Sequence, residues 1–376
     1  MDPETLRADI PAAEDVVYLN TGASGPAPRR VVEAAESFLE YHEYEAHAAE
    51  EGPYGAAFEL YDDVRERLGE FLGAPPESVA LTQSTSDGIN RVANALDWEP
   101  GDVVVRTDVE HPAGILPWKR LGDARGVETR VVPTTEGRVD RDAYRDAVAD
   151  ARLVCLSAIT WTAGTRLPVA DLVAEAHDAG AEVLVDAVQV PGQAPMPVGE
   201  WGAEYVAAAS HKWLLGPWGA GFLYVEPSAA ERLRPLDVGY RSVEDPNADE
   251  YEFHRGARRL EVGTTSPAPH AGLRECLRLF DELGIGTVES HVAGLTERFK
   301  DGLADDRLVG PREYESGLVA FQSDDPEGLV EGLRARDVVV RSLPTGAARA
   351  SFHAFNTDED VDRLLEAMAD VERSAT

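Results

Sequence analysis

The residue best suited to chemistry in this sequence is Lys212, which lies in a Gly- and Pro-rich stretch, residues 210–221. A run of small apolar residues, 205–209, comes just before it and predicts a buried strand. The chain has three lysines, and we expect Lys300 to be solvated, while Lys119 is ambiguous. Burial lowers the pKa of a lysine, and a neutral amine can attack a carbonyl to form a Schiff base. The alternative is a structural lysine that reaches from a strand end into water.

A second candidate for chemistry is Asp186, which ends another predicted buried strand, residues 183–185. The distance to Lys212 along the chain allows one crossover connection, so the two strands can be parallel neighbours. A carboxylate in that position can keep a pyridine nitrogen protonated. A protonated pyridine ring is the electron sink of pyridoxal 5'-phosphate (PLP).

A third candidate is a hydroxyl-rich helix start. Residues 79–82 predict a strand, and residues 83–96 predict an amphipathic helix with Thr85 and Ser86 in its first turn. Free backbone N–H groups and the helix dipole favour phosphate there. The alternative is an ordinary helix cap, since most helices that begin this way bind nothing.

The elements that must position these residues alternate between strands and helices. Further strands are predicted at residues 102–106, 130–133 and 153–159, and helices at 138–150 and 169–179. This order predicts an α/β fold, with a mostly parallel sheet flanked by helices. In such sheets ligands bind beyond the carboxyl ends of the strands. Four chemically useful residues follow predicted strands and should share that rim: His111, Trp161, Asp186 and Lys212.

The pattern changes after Tyr224. Residues 227–257 are irregular and charged, a long helix is predicted from about Pro269 to Leu283, and the last hundred residues predict a smaller α+β domain. We therefore expect three parts: an N-terminal segment, 1–17, that packs on the small domain; a large domain, 18–257; and a small C-terminal domain, 258–376.

Composition limits the possible partners. The chain has 376 residues, 43% of them hydrophobic, and a formal net charge of −34. That charge disfavours nucleic acid and anionic membranes as partners. A dispersed acidic surface with few lysines indicates adaptation to a high-salt, halophilic cytoplasm. Cys155 and Cys276 are expected to be core thiols, with no metal-site spacing. Neither a signal peptide nor a transmembrane run is apparent, so we expect a cytoplasmic protein.

Taken in order, these motifs resemble the class-V aminotransferase family, a branch of the fold-type-I PLP enzymes. The branch includes cysteine desulfurases, isopenicillin-N-epimerase-like proteins and cystine C–S lyases. The resemblance covers the chain from about Tyr18 to the C-terminus. It implies the PLP-dependent transferase fold, PLP as cofactor, an α-amino acid substrate, and a homodimer with the active site at the subunit interface.

The resemblance also implies roles for individual residues. Lys212 would form the Schiff base with PLP and later shuttle the proton. Asp186 would pair with the pyridine nitrogen, Gln189 would approach the ring hydroxyl, and His111 would stack on the ring. Phosphate ligands would be Thr85, Ser86, Ser210 and His211, with Thr264 reaching the phosphate of the partner subunit. Arg349 would clamp the substrate carboxylate through a two-pronged contact.

Departures from the family pattern reduce the number of reactions that we expect from this chain. Persulfide-forming desulfurases need a nucleophilic cysteine in the loop before the Arg349 strand, and here that loop, residues 341–348, has none. Trp161 stands where many relatives carry an asparagine. Residues 161–168 and 210–213 look like the C–S lyase and epimerase-like subgroup. Substrate-facing residues should come from Asn20 to Ser24, the 41–55 region and the partner subunit.

The expected reaction starts when Lys212 takes the substrate α-proton as a general base. Loss of a sulfur group from the β-carbon would make the protein a C–S lyase, which is our expectation. The alternatives are an aminotransferase, an amino-acid epimerase and, less favoured, a persulfide-forming cysteine desulfurase. Two further hypotheses do not involve PLP catalysis: a PLP-fold carrier or regulator without turnover, and an enzyme without PLP that uses Lys212 to bind phosphate.

Overall fold

The fold is built around a seven-stranded sheet, seen in a computed structural model that describes residues 2–375. The strands are β1 Val17–Tyr18, β2 Val79–Thr82, β3 Val103–Thr107, β4 Glu128–Val132, β5 Thr134–Thr135, β6 Arg138–Val139, β7 Leu153–Ser157, β8 Glu182–Asp186, β9 Tyr205–Ala209, β10 Gly221–Val225, β11 Leu318–Gln322, β12 Val338–Val339, β13 Arg341–Ser342 and β14 Ala347–Ser351. The α-helices are α1 Pro3–Ala8, α2 Arg29–Glu40, α3 Gly52–Leu72, α4 Thr85–Ala95, α5 Leu116–Arg125, α6 Arg141–Val148, α7 Val169–Asp178, α8 Val198–Trp201, α9 Pro227–Ala230, α10 Ala268–Leu283, α11 Ile285–Asp301, α12 Pro326–Arg334 and α13 Asp358–Ala375.

The large sheet has the strand order β2-β10-β9-β8-β7-β3-β4. β10 is antiparallel to both of its neighbours, and the pairs from β9 to β4 are parallel. Side chains alternate between two hydrophobic cores, one on each face: Val103 and Val105 of β3 enter one core, and Val104 enters the other. A sheet covered on both faces explains why its strands read as continuous apolar runs. The predicted α/β class is confirmed.

A second, three-stranded antiparallel sheet forms towards the C-terminus in the order β11-β14-β13. It packs with α11, α12 and α13 around a separate core. The N-terminal part of the chain joins this region, because β1 pairs in parallel with β12 and Arg7 of α1 forms an ion pair with Asp360. Leu6 and Ile10 pack in the main core instead.

The division of the chain at residue 258 stays a prediction. The helix that follows it, α10, places Leu273, Cys276 and Leu277 in the same core as α2 and α3 of the large domain. The small three-stranded sheet draws its helical cover from α11 onward.

Lys300 differs from its prediction as a solvated residue. It lies near the end of α11, is 4% exposed, and donates from Nζ to the main-chain oxygens of Pro311 at 2.8 Å and Glu313 at 2.7 Å. The carbonyls come from a loop that follows the helix, so the neighbouring sequence gives no sign of them. Lys119 is exposed. Among residues 2–375, no helix is long and apolar enough to cross a membrane.

Candidate active site

The carboxyl ends of the central strands open onto a cavity of about 180 Å³. Segments that follow β1, β2, β3, β7, β8 and β9 contribute to its wall, together with β13. The lining residues are Gly22, Ala23, Ser84, Thr85, Ser86, His111, Ala113, Trp161, Asp186, Val188, Gln189, His211, Lys212 and Arg341. The four residues predicted to share this rim, His111, Trp161, Asp186 and Lys212, are therefore brought together.

Lys212 lies in the loop between β9 and β10. The loop is held at its base because the Ser210 hydroxyl lies 2.8 Å from the carbonyl oxygen of Pro217 and 2.9 Å from that of Ala220. Burial lowers the pKa of Lys212 to about 8, and the charge of Asp186 opposes that shift. A substantial fraction of the amine is then neutral near pH 8, which a nucleophile or a general base needs.

The N-terminal loop passes directly over Lys212. The Gly25 N–H donates to the carbonyl oxygen of His211 at 2.8 Å, and a Cβ on Gly25 would lie 2.0 Å from the carbonyl oxygen of Lys212. Only glycine allows this approach of the two backbones.

Asp186 is the last residue of β8 and is buried. Its Oδ1 accepts a hydrogen bond from the Val188 N–H at 3.0 Å. Burial raises the pKa of Asp186, and the Val188 N–H and Lys212 work against this rise. A buried carboxylate in this position is suited to a cationic partner, which would lower its pKa again.

His111 begins a short 3-10 turn, Pro112–Gly114, and its Nδ1 accepts from the Ala113 N–H at 3.2 Å. Its ring meets Trp161 edge to face, with centroids 5.4 Å apart. Burial, followed by the positive charge of Lys212, lowers the pKa of His111 to about 4. The ring is therefore neutral near pH 7, and it lines the cavity.

Glu110 is a buried residue to which sequence reasoning gave no role. Its carboxylate accepts hydrogen bonds from the Thr107 hydroxyl at 2.6 Å and from the Ser157 N–H and hydroxyl at 3.1 and 2.6 Å. It thus ties the end of β3 to the end of β7, next to His111. Burial raises the pKa of Glu110 to about 7. The sequence signal that could have indicated a role for Glu110 is its position directly before His111.

The start of α4 carries the features of an anion site. Ser84 is the N-cap, and its hydroxyl accepts from the Asp87 N–H at 3.1 Å. Thr85 and Ser86 occupy the first turn and line the cavity. The Thr85 hydroxyl is buried and has no hydrogen-bond partner in the described part of the chain. Free N–H groups at the first turn and an unpartnered hydroxyl fit a phosphate group.

Arg349 lies on β14 and is 0% exposed. Its Nη1 donates to the Trp161 carbonyl oxygen at 2.5 Å, while Nε and Nη2 have no partner among residues 2–375. Burial, followed by the positive charge of Arg341, lowers the pKa of Arg349 to about 9. Two adjacent free donors on one guanidinium fit a carboxylate.

Arg341 lines the cavity and was not predicted as a site residue. It is the cross-strand partner of Arg349, because β13 and β14 form a tight antiparallel hairpin. The hairpin closes through the Leu343 N–H, which donates to the Ala347 carbonyl oxygen at 2.8 Å. The short spacing of the two arginines around a Gly-containing turn could have indicated this pairing.

The other predicted site residues divide into two groups. Gln189 and His211 line the cavity, and the His211 ring lies against Trp218 with centroids 5.2 Å apart. Burial, followed by Lys212, lowers the pKa of His211 to about 4. Asn20, Ser210, Thr264 and Arg349 do not line it, although Arg341, the cross-strand partner of Arg349, does. Thr264 borders a separate cavity with aromatic walls that include Tyr54, Phe58 and Tyr61.

Asn20 forms a main-chain bridge with Ser351 of β14. Its side-chain oxygen, Oδ1, is buried without a hydrogen-bond partner in the described structure. The residue thus lies at the junction of the N-terminal loop and the strand that carries Arg349.

Neither cysteine is available to the cavity. Cys155 and Cys276 are both 0% exposed, and burial raises the pKa of each thiol. Both are buried core thiols, as predicted, and the raised pKa disfavours the reactive thiolate. Within residues 2–375, no cluster of three or more potential ligands from His, Cys, Asp and Glu could hold a metal ion.

The comparisons with known proteins agree with this geometry. A sequence model of the family described as "Aminotransferase class-V" matches residues 17–364. A probable cysteine desulfurase of Methanothermobacter thermautotrophicus is 33% identical over 400 residues, covering 99% of this chain and 98% of that protein. The apo structure of a cysteine desulfurase from Thermococcus onnurineus NA1 superposes with a TM-score of 0.92 at 29% identity, covering 100% of this chain and 99% of the other.

A third similar structure is that of C-DES, described as a cystine C–S lyase in complex with its reaction product cysteine persulfide. It superposes with a TM-score of 0.90 at 26% identity, covering 96% of this chain and 99% of C-DES. Another C-DES structure contains glycine covalently linked to the PLP cofactor.

Proposed function

The chain belongs to the class-V aminotransferase family of PLP-dependent enzymes, and from that premise we propose that it cleaves the carbon–sulfur bond of a sulfur-containing α-amino acid by β-elimination. The observation that carries the proposal is the combination of a half-buried amine, Lys212, whose pKa is lowered, and a buried acid, Asp186, in a cavity to which the described residues supply no thiol. The family membership makes PLP the cofactor.

The cavity has a group for each part of PLP. We propose that Lys212 anchors it, that Asp186 pairs with the pyridine nitrogen and that His111 stacks on the ring. The unpartnered Thr85 hydroxyl and the first turn of α4, which includes Ser86, suit the phosphate. When bound, PLP supplies an electron sink for the negative charge that develops at the substrate α-carbon.

Substrate orientation is assigned to Arg349. Its free Nε and Nη2 can donate two parallel hydrogen bonds to the α-carboxylate. This leaves the α-proton to Lys212, whose pKa of about 8 allows the neutral amine to accept it. Asp186, held by the Val188 N–H, keeps a negative charge beside the ring nitrogen.

The elimination balances without an oxidant. The α-carbon loses a proton, the bond between the β-carbon and sulfur breaks, and the sulfur group leaves with the electron pair and takes up a proton. The remaining unsaturated amino acid is hydrolysed to pyruvate and ammonia. No cysteine of the chain takes part, which agrees with the burial of Cys155 and Cys276. The similarity to C-DES, whose reaction product is cysteine persulfide, supports a small molecule as the sulfur carrier.

Cysteine desulfuration is the second candidate function, because curated relatives with up to 33% identity are named cysteine desulfurases or probable ones. With cysteine as substrate, an external thiol would have to accept the sulfur, since the hairpin between β13 and β14 has no cysteine. One role implied by the resemblance also changes in this proposal. Ser210 supports the Lys212 loop, as its hydroxyl bonds indicate, and it is not a phosphate ligand.

We also propose that the working enzyme is a homodimer in which Thr264 serves the partner's cofactor. Thr264 borders a cavity other than the one with Lys212, and that cavity has an exposed aromatic wall at Tyr54. A residue that faced its own cofactor would line the Lys212 cavity.

The test is made on the PLP-loaded protein in molar salt with L-cystine and L-cysteine as substrates. We expect pyruvate, ammonia and a free persulfide from cystine, in equal amounts, and loss of all three in Lys212→Ala. Sulfur that appears only when an external thiol is added, together with alanine in place of pyruvate, would favour desulfuration. Conversion of the cofactor to its amine form with a keto acid as product would make the protein an aminotransferase.

A further inference from the structure

Trp213 lies at the centre of a set of buried hydrogen bonds that joins the Lys212 loop to the Arg349 strand. Its ring nitrogen, Nε1, donates to Oε1 of Gln189 at 2.6 Å. Its carbonyl oxygen is 2.6 Å from Nε2 of His353, which lies just after β14. The side chains of Trp213, Gln189 and His353 are all buried.

The hydrogen bonds close a ring through the N-terminal loop. Nε2 of Gln189 donates to the Gly22 carbonyl oxygen at 3.1 Å. The other side continues through Asn356, whose Oδ1 accepts from the His353 N–H at 2.9 Å and whose Nδ2 donates to the Tyr18 carbonyl oxygen at 3.1 Å. Four separate parts of the chain therefore share one network.

The hydrogen bonds of His353 determine which of its two ring nitrogens carries the proton. Nδ1 of His353 accepts from the Ala354 N–H at 2.5 Å, so Nε2 must carry the proton and donates to Trp213. Burial lowers the pKa of His353 to about 4, which keeps the imidazole neutral and in this single form near pH 7.

Close packing against two glycines restricts the position of Trp213. A Cβ on Gly192, whose φ is +95°, would lie 2.1 Å from the Trp213 carbonyl oxygen. A Cβ on Gly317 would lie 2.8 Å from the indole ring. The backbone thus touches the residue on two sides, and a shift of Trp213 would require a shift of its neighbours.

We propose that Trp213 is a positioning residue, which fixes Lys212 relative to Arg349 through its hydrogen bonds to Gln189 and His353. The proposal rests on the roles given above to Lys212 and Arg349. Those residues act on two groups of one substrate carbon, its proton and its carboxylate. Their separation must therefore be fixed, and a misplacement of about 1 Å can cost on the order of 100-fold in rate.

The chain offers a matched control for the test. Trp98 is also buried, and its Nε1 donates to the Ala93 carbonyl oxygen at 2.7 Å, but it lies in the core on the other face of the sheet. Trp213→Phe and Trp98→Phe remove the same donor and the same volume, so both should lower the melting temperature. Only Trp213→Phe should affect the site.

The measurements are made on the PLP-loaded protein: kcat and KM with cystine, the induced circular dichroism of the bound cofactor, and hydrogen exchange of the amides in residues 210–217. For Trp213→Phe we expect kcat to fall roughly 10- to 100-fold with KM changed much less, a weaker dichroism band, and faster amide exchange in that loop. Trp98→Phe should leave all three as in the wild type.

A second pair of variants covers the case in which Trp213→Phe does not fold. His353→Phe removes the donor to Trp213, whereas His353→Gln keeps an N–H donor and should recover most of kcat. Equal behaviour of the two histidine variants, or a Trp213→Phe enzyme with normal kcat whatever its exchange rate, would overturn the proposal.

Failure of the proposed function is recognised separately. Borohydride reduction of the wild type followed by peptide mapping shows whether PLP is attached to Lys212. If it is not, the chemistry proposed for Lys212 is wrong, and the hydrogen exchange of residues 210–217 still decides whether Trp213 holds this loop.

Discussion

The strongest prediction concerns two buried arginines with opposite surroundings. Arg349 is 0% exposed and has two nitrogen atoms without partners among the described residues. Arg65 is also buried, but Glu261 accepts hydrogen bonds from its Nη2 at 2.7 and 2.8 Å. We expect Arg349→Met to stabilise the substrate-free protein and Arg65→Met to destabilise it, although both replacements remove one buried guanidinium.

The expected magnitudes follow from burial and pairing. A fall in the pKa of Arg349 from 12.5 to about 9 corresponds to on the order of 5 kcal/mol. Because the pKa of this base is lowered in the folded state, stability rises with pH only between about 9 and 12.5, and the full cost is present at pH 7. Replacement by methionine also loses the bond to Trp161, worth ~1 kcal/mol, and leaves some unfilled volume. We therefore expect a net gain of roughly 1–3 kcal/mol.

Arg65→Met breaks a buried pair and should cost roughly 3–5 kcal/mol. For a chain of this size, 1 kcal/mol corresponds to ~1–2 °C in melting temperature, so the two variants should lie on opposite sides of the wild type. The assay is thermal or urea unfolding of the PLP-loaded protein at pH 7 in molar salt, without amino acid. In the same preparations, Arg349→Met should lower kcat/KM at least ~30-fold, while its affinity for PLP changes little.

Two results would refute this reasoning. If Arg349→Met unfolds at a lower temperature than the wild type, by as much as Arg65→Met does, the guanidinium of Arg349 is not an unpaired group retained for function. If Arg349→Met is more stable but loses PLP affinity and substrate affinity in equal measure, its partner is the cofactor and not the substrate carboxylate.

Three further predictions use other parts of the site. Thr85→Val removes a buried hydroxyl that has no partner in the described chain, so it should weaken PLP binding about 10-fold without lowering the melting temperature of the PLP-free protein. A wild-type dissociation constant for PLP in this variant would contradict the assignment of Thr85 to the phosphate. Because burial raises the pKa of Glu110 to about 7, the free energy of unfolding of the wild type should fall as pH rises from 4.5 to 7. Glu110→Gln should reduce that fall, measured by urea unfolding at pH 5 and pH 7.5, and an equal fall in the variant would contradict the raised pKa of Glu110. Gly25→Ala would place a Cβ 2.0 Å from the Lys212 carbonyl oxygen, so we expect faster hydrogen exchange in residues 210–217 and reduced kcat, whereas Gly199→Ala, which meets nothing within 4 Å, should behave as the wild type.

Much of the fold could be predicted from the sequence because local and global signals agree. Strands β7, β8 and β9 are continuous apolar runs, since both faces of their sheet are covered. Helix α4 begins at the predicted cap residues. The burial of Lys300 could not be predicted in the same way, because its partners are carbonyls of a loop eleven and thirteen residues further on.

The site residues also differ in how far the sequence alone could predict them. Asp186 ends a strand, and Lys212 and His111 come within a few residues of the ends of two others, so the parallel order of the sheet is enough to bring them to one edge. Arg341 and Glu110 were missed because their importance depends on pairs that the pattern does not show: Arg341 beside Arg349 across a hairpin, and Glu110 bonded to Ser157 on another strand. Residue type alone gives a charge or a hydroxyl, whereas long-range pairing decides what it faces.

The pairing of the buried polar groups also separates the residues that hold the site from those that bind. Gln189, Trp213 and His353 have their polar atoms bonded to other parts of the chain, so each fixes one segment against another. Thr85, by contrast, has a buried hydroxyl with no partner in residues 2–375, and Arg349 has two such nitrogens. An unpaired buried polar atom costs about 1–3 kcal/mol, and a ligand that supplies the missing partner would recover that cost. The unpaired atoms of Thr85 and Arg349 are a hydroxyl beside a helix start and two donors of one guanidinium, which suit a phosphate and a carboxylate. A phosphate-bearing cofactor and an amino acid carry those two groups.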